Sequence, residues 1–188
     1  MVNTKRILVV LVEDKPGVLN RVASLFRRRG FNIESLAVGH SETPWLSRMT
    51  IVVDGATTDV DQVAKQLYKL VPVVKVSDIT DEQMVARELA LIKVKAVGRS
   101  RSEVIQIVDI FRANIIDVSP DSLIVEVTGD EDKINSLCQL LKGFGIKELV
   151  RTGRVALVRG TAGATTLAEE RPSSRGSRER EVEAEQNN

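Results

Sequence analysis

The chain has 188 residues, 43% hydrophobic and only 3% aromatic, with 27 Lys and Arg against 26 Asp and Glu for a net charge of +1. That length suits one large domain or two small ones, with a core built from Val, Ile and Leu. Near-neutral charge gives no long-range pull toward nucleic acid or anionic lipid, and a single cysteine, Cys138, excludes an internal disulfide framework and a cysteine-only metal site.

Lys5 and Arg6 precede a six-residue apolar run, Ile7–Val12. It is too short for a secretory h-region or a membrane span, and with one cysteine it leads us to expect a soluble cytoplasmic protein. The same run predicts a strand covered on both faces. Val18, Leu19, Val22, Leu25 and Phe26 follow at helical spacing, with Pro16 suited to the first turn and Gly30 to the stop. Phe31 to Gly39 reads as a strand whose phase slips, which predicts a bulge near Glu34–Ser35. Met49, Ile51 and Val53 alternate along the next strand. Val60, Val63, Ala64, Leu67 and Val71 mark a second helix ended by Pro72, and Val73 to Val76 a fourth strand. Strand, helix, strand, strand, helix, strand is the order of a split ferredoxin-like unit.

The stretch "DITDEQMVARE" reads as a polar linker, and the pattern then repeats. Leu89–Val97 is a strand. Val104, Ile105, Val108 and Phe111 lie on a helix, Ile115–Val118 and Leu123–Gly129 are strands, and Ile134, Leu137, Cys138 and Leu141 lie on a helix. Ile146–Val150 is the last strand, with Val155–Val158 continuing it or pairing beside it. The expected fold is α+β: two ferredoxin-like βαββαβ domains in tandem, over 1–79 and 88–159, joined by a linker at 80–87. From residue 160 to 188 the chain is small, polar and charged, and it is expected to be a disordered tail.

Catalytic chemistry is sparse. The sole histidine, His40, has no partnered nucleophile and reads as a surface loop residue. Cys138 falls on an apolar helical stripe and reads as core. Asp54, Asp59 and Asp61 straddle a turn and a helix start, where capping explains them better than a metal. No Walker loop, dinucleotide fingerprint or paired-cysteine zinc spacing is present. Arg27–Arg29 sit in the last turn of a helix, where its dipole favours cations, and the central strands offer Ile, Leu and Val in place of the aromatics on which RNA bases stack.

The junction Asp14–Lys15–Pro16–Gly17 has the form of an anion-binding helix start. The N–H groups of Val18 and Leu19 suit a carboxylate, Gly17 allows close approach, and Asp14 suits an ammonium. Asn32 adds a donor and an acceptor, and Val18, Leu19, Ile33 and Leu36 supply apolar walls. Such a pocket matches a zwitterion with an aliphatic side chain. The plainer alternative is that Asp14 caps the helix and Gly17 makes the turn. The second unit's junction, "VGRSRSEV", has no acidic residue followed by Pro-Gly, which favours a special task for the first.

The segments "EDKPGVLNRVASLFRRRGFNIESL", "LSRMTIVVDG", "QLYKLVPVVKV", "ALIKV", "IFRANIIDVSPDSLIVEVTG" and "IKELVRTGRVALVRG" resemble the small (regulatory) subunit of acetohydroxyacid synthase, also called acetolactate synthase. The first unit resembles the ACT domain, an amino-acid-sensing module. The resemblance implies a chain with no active site and no cofactor of its own. Its expected partner is the catalytic large subunit, which uses thiamine diphosphate, Mg2+ and FAD. The expected role is to activate that subunit and confer feedback inhibition by valine or another branched-chain amino acid. It also implies a homodimer through the ACT domains, and effector contacts at Asp14, Gly17, Val18, Leu19, Asn32 and Ile33, with Asp at a position where relatives carry Asn or Asp. A stand-alone amino-acid sensor without an enzyme partner is the rival reading.

Overall fold

A computed structural model describes residues 5–56 and 59–160. The first unit is β1 (Lys5–Glu13), α1 (Val18–Arg29), β2 (Ile33–His40), β3 (Leu46–Asp54), α2 (Val60–Leu67) and β4 (Val73–Asp78). Its strands lie in the order β2-β3-β1-β4, all neighbours antiparallel. The second unit is β5 (Met84–Lys95), α3 (Arg99–Ile110), β6 (Asn114–Val118), β7 (Ser122–Gly129), α4 (Glu131–Lys142) and β8 (Ile146–Arg151). Its order, β6-β7-β5-β8, is the same topology. Both are ferredoxin-like, as the repeated element order predicts.

The first unit's main core joins Leu8, Val10, Val12, Met49, Ile51 and Val53 of the sheet to Val22, Leu25, Phe26, Val63 and Leu67 of the helices. The alternation of Met49, Ile51 and Val53 is thus the inner face of β3, and Ile7, Val9 and Val52 are buried on the outer face. The continuous apolar run of β1 reports this double covering. The phase slip in β2 is also real: the register shifts between Ile33 and Ser35, leaving Glu34 as the bulged residue.

Several elements depart from their sequence readings. Pro16 lies before α1, because Gly17 adopts φ +83°, a left-handed conformation outside the helix. Helix α2 stops at Leu67, and Val71 is 88% exposed in the following turn. Ile105 is exposed, and Val104 and Val108 carry the buried face of α3. Residues 84–87, read as the end of a linker, are the first residues of β5. They pair antiparallel with β9 (Val155–Val158), in the register Met84↔Val158 to Arg87↔Val155. So Val155–Val158 pairs beside β5 and not beside β8. Polar Arg87 and Glu88 disguise this part of β5, whose apolar Met84 and Ala86 face inward with Ala156 and Val158.

That ribbon explains the outer face of the first sheet. Ile7, Val9, Val52 and Ile79 form one core with Ala156, and Met84, Ala86 and Val158 pack against it. The two units therefore share buried apolar surface. Beside it, Gly153 lies so close to β2 that a Cβ there would overlap the Leu36 carbonyl oxygen. Residues 161–188, expected to form a disordered tail, lie outside the described residues.

Candidate functional site

Three loops meet at one end of the first sheet. Glu13 N–H donates to Pro72 O at 2.8 Å and Asp14 N–H donates to Trp45 O at 2.8 Å, tying the β1–α1 junction to the loops before β4 and β3. Trp45 holds φ +67°, a strained value for an aromatic residue, and is 86% exposed. Asp14 does not cap α1. Its Oδ1 accepts from Ser47 Oγ at 3.2 Å, and its Oδ2 lies 3.2 Å from His40 Nδ1. His40 and Ser47 are cross-strand partners on β2 and β3, so one register step delivers both to the carboxylate. The sequence reading missed these two partners. Ser47 falls at the end of the inward alternation that includes Met49, Ile51 and Val53 and is buried. A small hydroxyl ending an apolar alternation was the available signal.

Gly17 is the N-cap of α1, and among the described residues no side chain caps the helix. By contrast Asp59 caps α2 through Gln62 N–H at 3.1 Å, and Asp130 caps α4 through Lys133 N–H at 2.8 Å. Capping is therefore the role of Asp59, as expected, and Asp54 accepts from Ala56 N–H at 2.9 Å. At α1 the Val18 N–H turns back to Lys15 O at 3.3 Å, and Arg21 N–H bonds Gly17 O. Leu19 and Asn20 follow in the first turn, where N–H groups lack intrahelical acceptors. A Cβ on Gly17 would meet nothing within 4 Å. Val18 is buried and Leu19 is 45% exposed, so Leu19 presents the apolar surface at this junction.

Asn32 and Ile33 lie at the other end. They follow the α1 C-cap, Gly30, so the 12 residues of α1 separate them from Gly17, about 18 Å at 1.5 Å per residue. In the sheet, Ile33 pairs with Val53, and Val53 with Arg6, at the start of β1. Asp14 follows the far end of β1. One chain does not bring Asp14–Leu19 and Asn32–Ile33 to the same small molecule.

The second unit's junction is filled. Arg101 donates to Ala96 O at 3.1 Å, Ser119 O at 2.6 Å and Pro120 O at 2.8 Å, closing the space before α3 with its own guanidinium. Both helices start at a glycine with no side-chain cap, so the two copies differ in what stands beside that start: the Arg101 guanidinium, bound to three carbonyls, in one, and the Asp14 carboxylate in the other. Cys138 is half-buried, and burial pushes its thiol pKa up, away from nucleophilic use. No group of three or more His, Cys, Asp or Glu suited to a metal occurs among the described residues, and none of their helices is long and apolar enough to cross a membrane.

Comparison with known proteins covers both units. Residues 8–75 match the family model "AHAS small subunit-like ACT domain", and residues 87–160 match "Small subunit of acetolactate synthase". A probable acetolactate synthase small subunit of Archaeoglobus fulgidus is 60% identical, over 83% of this chain and 98% of the relative. The acetolactate synthase small subunit of Bacillus subtilis is 51% identical, over 84% of this chain and 92% of the relative. The crystal structure of the Thermotoga maritima small subunit superposes with a TM-score of 0.77 at 46% identity, covering 83% of this chain and 98% of that one.

Proposed function

This chain belongs to the acetolactate synthase small-subunit family, and from that premise we propose that it activates a catalytic large subunit and relays feedback inhibition by valine or another branched-chain amino acid. The partner is the group that carries out the chemistry, with thiamine diphosphate, Mg2+ and FAD. The observation that carries the effector reading is the uncapped start of α1 beside an Asp14 carboxylate held by Ser47 and His40. Unpaired N–H groups and the helix dipole favour the ligand carboxylate by about 0.3–1 kcal/mol. Asp14 favours its ammonium, and Leu19 its aliphatic side chain.

The wide separation of Asn32 from Asp14 supports a site built from two chains. The first sheet has two edge strands, β2 and β4. Tyr68 blunts β4: its hydroxyl donates to Val76 O at 3.0 Å and accepts from Val76 N–H at 3.1 Å. That leaves β2 as the edge on which a second copy pairs. A two-fold antiparallel β2–β2 pairing sets Ile33 of one chain level with His40 of the other, and so beside that chain's Asp14. The effector then bridges Asp14–Leu19 of one protomer and Asn32–Ile33 of its partner. It shifts the enzyme by its difference in affinity between two dimer states, for which about 1–3 kcal/mol of coupling suffices. The test is the holoenzyme carrying Asp14→Ala or Asn32→Ala. Each variant abolishes inhibition by valine and leaves activation intact; two variants that remain fully valine-sensitive overturn the assignment.

A further inference from the structure

Six charged side chains knit the second unit to the strand that carries Ile33. Lys5 Nζ, from β1, lies 2.6 Å from Glu131 Oε1 and 3.4 Å from Glu34 Oε2. Arg154 donates to Glu131 Oε2, and its Nε lies 3.5 Å from Glu88 Oε1. Arg151 donates to Glu88 Oε2 at 2.6 Å and to Asn135 Oδ1 at 2.8 Å. The Arg154 backbone N–H donates to Ser35 Oγ at 2.8 Å, so the loop after β8 grips β2 through both chain and side chain. Glu88 is 8% exposed and Arg154 11% at the side chain. Among the described residues that line the polar cavity, these three cations face three carboxylates.

The position is what gives this cluster a use. Glu34 is the bulged residue of β2, one step from Ile33. Glu131 begins α4 of the second unit, and Gly153, in the loop after β8, lies against the Leu36 carbonyl. A partly buried charge network tolerates loss of a member poorly, because the remaining charges lose compensation, so it holds one arrangement or gives it up. We infer that this network is the coupling element that transmits effector occupancy from the β2 bulge to the second unit, with Glu131 and Arg154 as its positioning residues. The inference rests on the effector reading above. An effector that draws Asn32 and Ile33 toward the dimer seam moves the bulge at Glu34, and the network passes that movement to α4 and β8.

Glu131→Gln removes one charge from the centre of the network and keeps the shape. In the full-chain dimer its valine affinity by calorimetry stays within about twofold of the unsubstituted chain. In the holoenzyme, activation persists while the maximal inhibition by saturating valine falls at least fivefold. Amide hydrogen exchange supplies a readout independent of activity. Valine slows exchange at residues 130–134 and 151–154 of the unsubstituted dimer, and that slowing is lost in Glu131→Gln. Ser35→Ala, which removes the acceptor of the Arg154 N–H, is the second variant and weakens the same transmission. Full inhibition and unchanged long-range protection in both variants overturn the coupling role and leave the effector reading standing. An unsubstituted dimer that takes up no branched-chain amino acid overturns both.

Discussion

Single atoms decide how this molecule is joined. Gly153 has no Cβ because the β2 backbone at Leu36 occupies the space. Gly153→Ala forces the loop off β2 and is expected to cost about 1–3 kcal/mol, the usual range for overpacking a tight contact; urea unfolding of the full chain measures it, and an unchanged midpoint contradicts the contact. Glu131 carries a pH signature. The hydrogen bond from Lys5 holds its carboxyl below the ordinary value of 4.5, and the same contact holds Lys5 above 10.5. A depressed carboxylate stabilises the fold above pH 4.5 and loses that contribution as pH falls further; a raised lysine contributes below pH 10.5 and loses it as pH rises beyond. Between these limits the Lys5–Glu131 pair stays charged. A carboxyl-carbon NMR titration of Glu131 gives a midpoint below 4.5, and a midpoint at or above it means that the Lys5 contact is absent in solution.

At the level of elements, the pattern of apolar residues carries most of the fold. Strand β1 announces double burial by six consecutive apolar residues, and the bulge in β2 shows as a phase slip at Glu34–Ser35. What stayed hidden has physical causes. The first half of β5 reads as a linker because only Met84 and Ala86 of it face the core, and Arg87 and Glu88 follow at once. Pairing of β9 with β5 is non-local, and no periodicity within either segment reports it. The candidate site was legible at Asp14 and Gly17 from spacing alone. Its partners His40 and Ser47 were not, since they reach Asp14 only through the β2–β3 register. Tyr68 belongs to this scale as well. Tyr68→Phe removes both hydrogen bonds to Val76, reopens the β4 edge and is expected to destabilise the fold by about 0.5–1.5 kcal/mol. Thermal unfolding with light scattering reads both effects; a variant as stable and as monodisperse as the unsubstituted chain contradicts the edge-blunting role.

At the scale of the whole molecule, the two sheets behave as one body because they share a core. Ile7, Val9 and Val52 are each at most 6% exposed, and Ile79 is covered in the same cluster. A chain ending at Asp78 lacks Ile79 and leaves Ile7, Val9 and Val52 bare, and burying each is worth about 1.5–3 kcal/mol. It is expected to melt lower than the full chain or to aggregate, and an equally stable shortened chain contradicts a shared core. In the proposed function, the same continuity carries the effect of an amino acid at one end of the first sheet to the partner enzyme. An effector seated between two chains, as proposed above, makes the two halves of its site separable by complementation. Asp14→Ala and Asn32→Ala dimers, each unable to bind valine, are mixed, allowed to exchange subunits and titrated with valine by calorimetry. If Asp14 of one chain and Asn32 of the other share a ligand, each mixed dimer regains one intact site, and about a quarter of the original capacity returns. If the mixture binds no more valine than its parents, the seam is not where the amino acid binds.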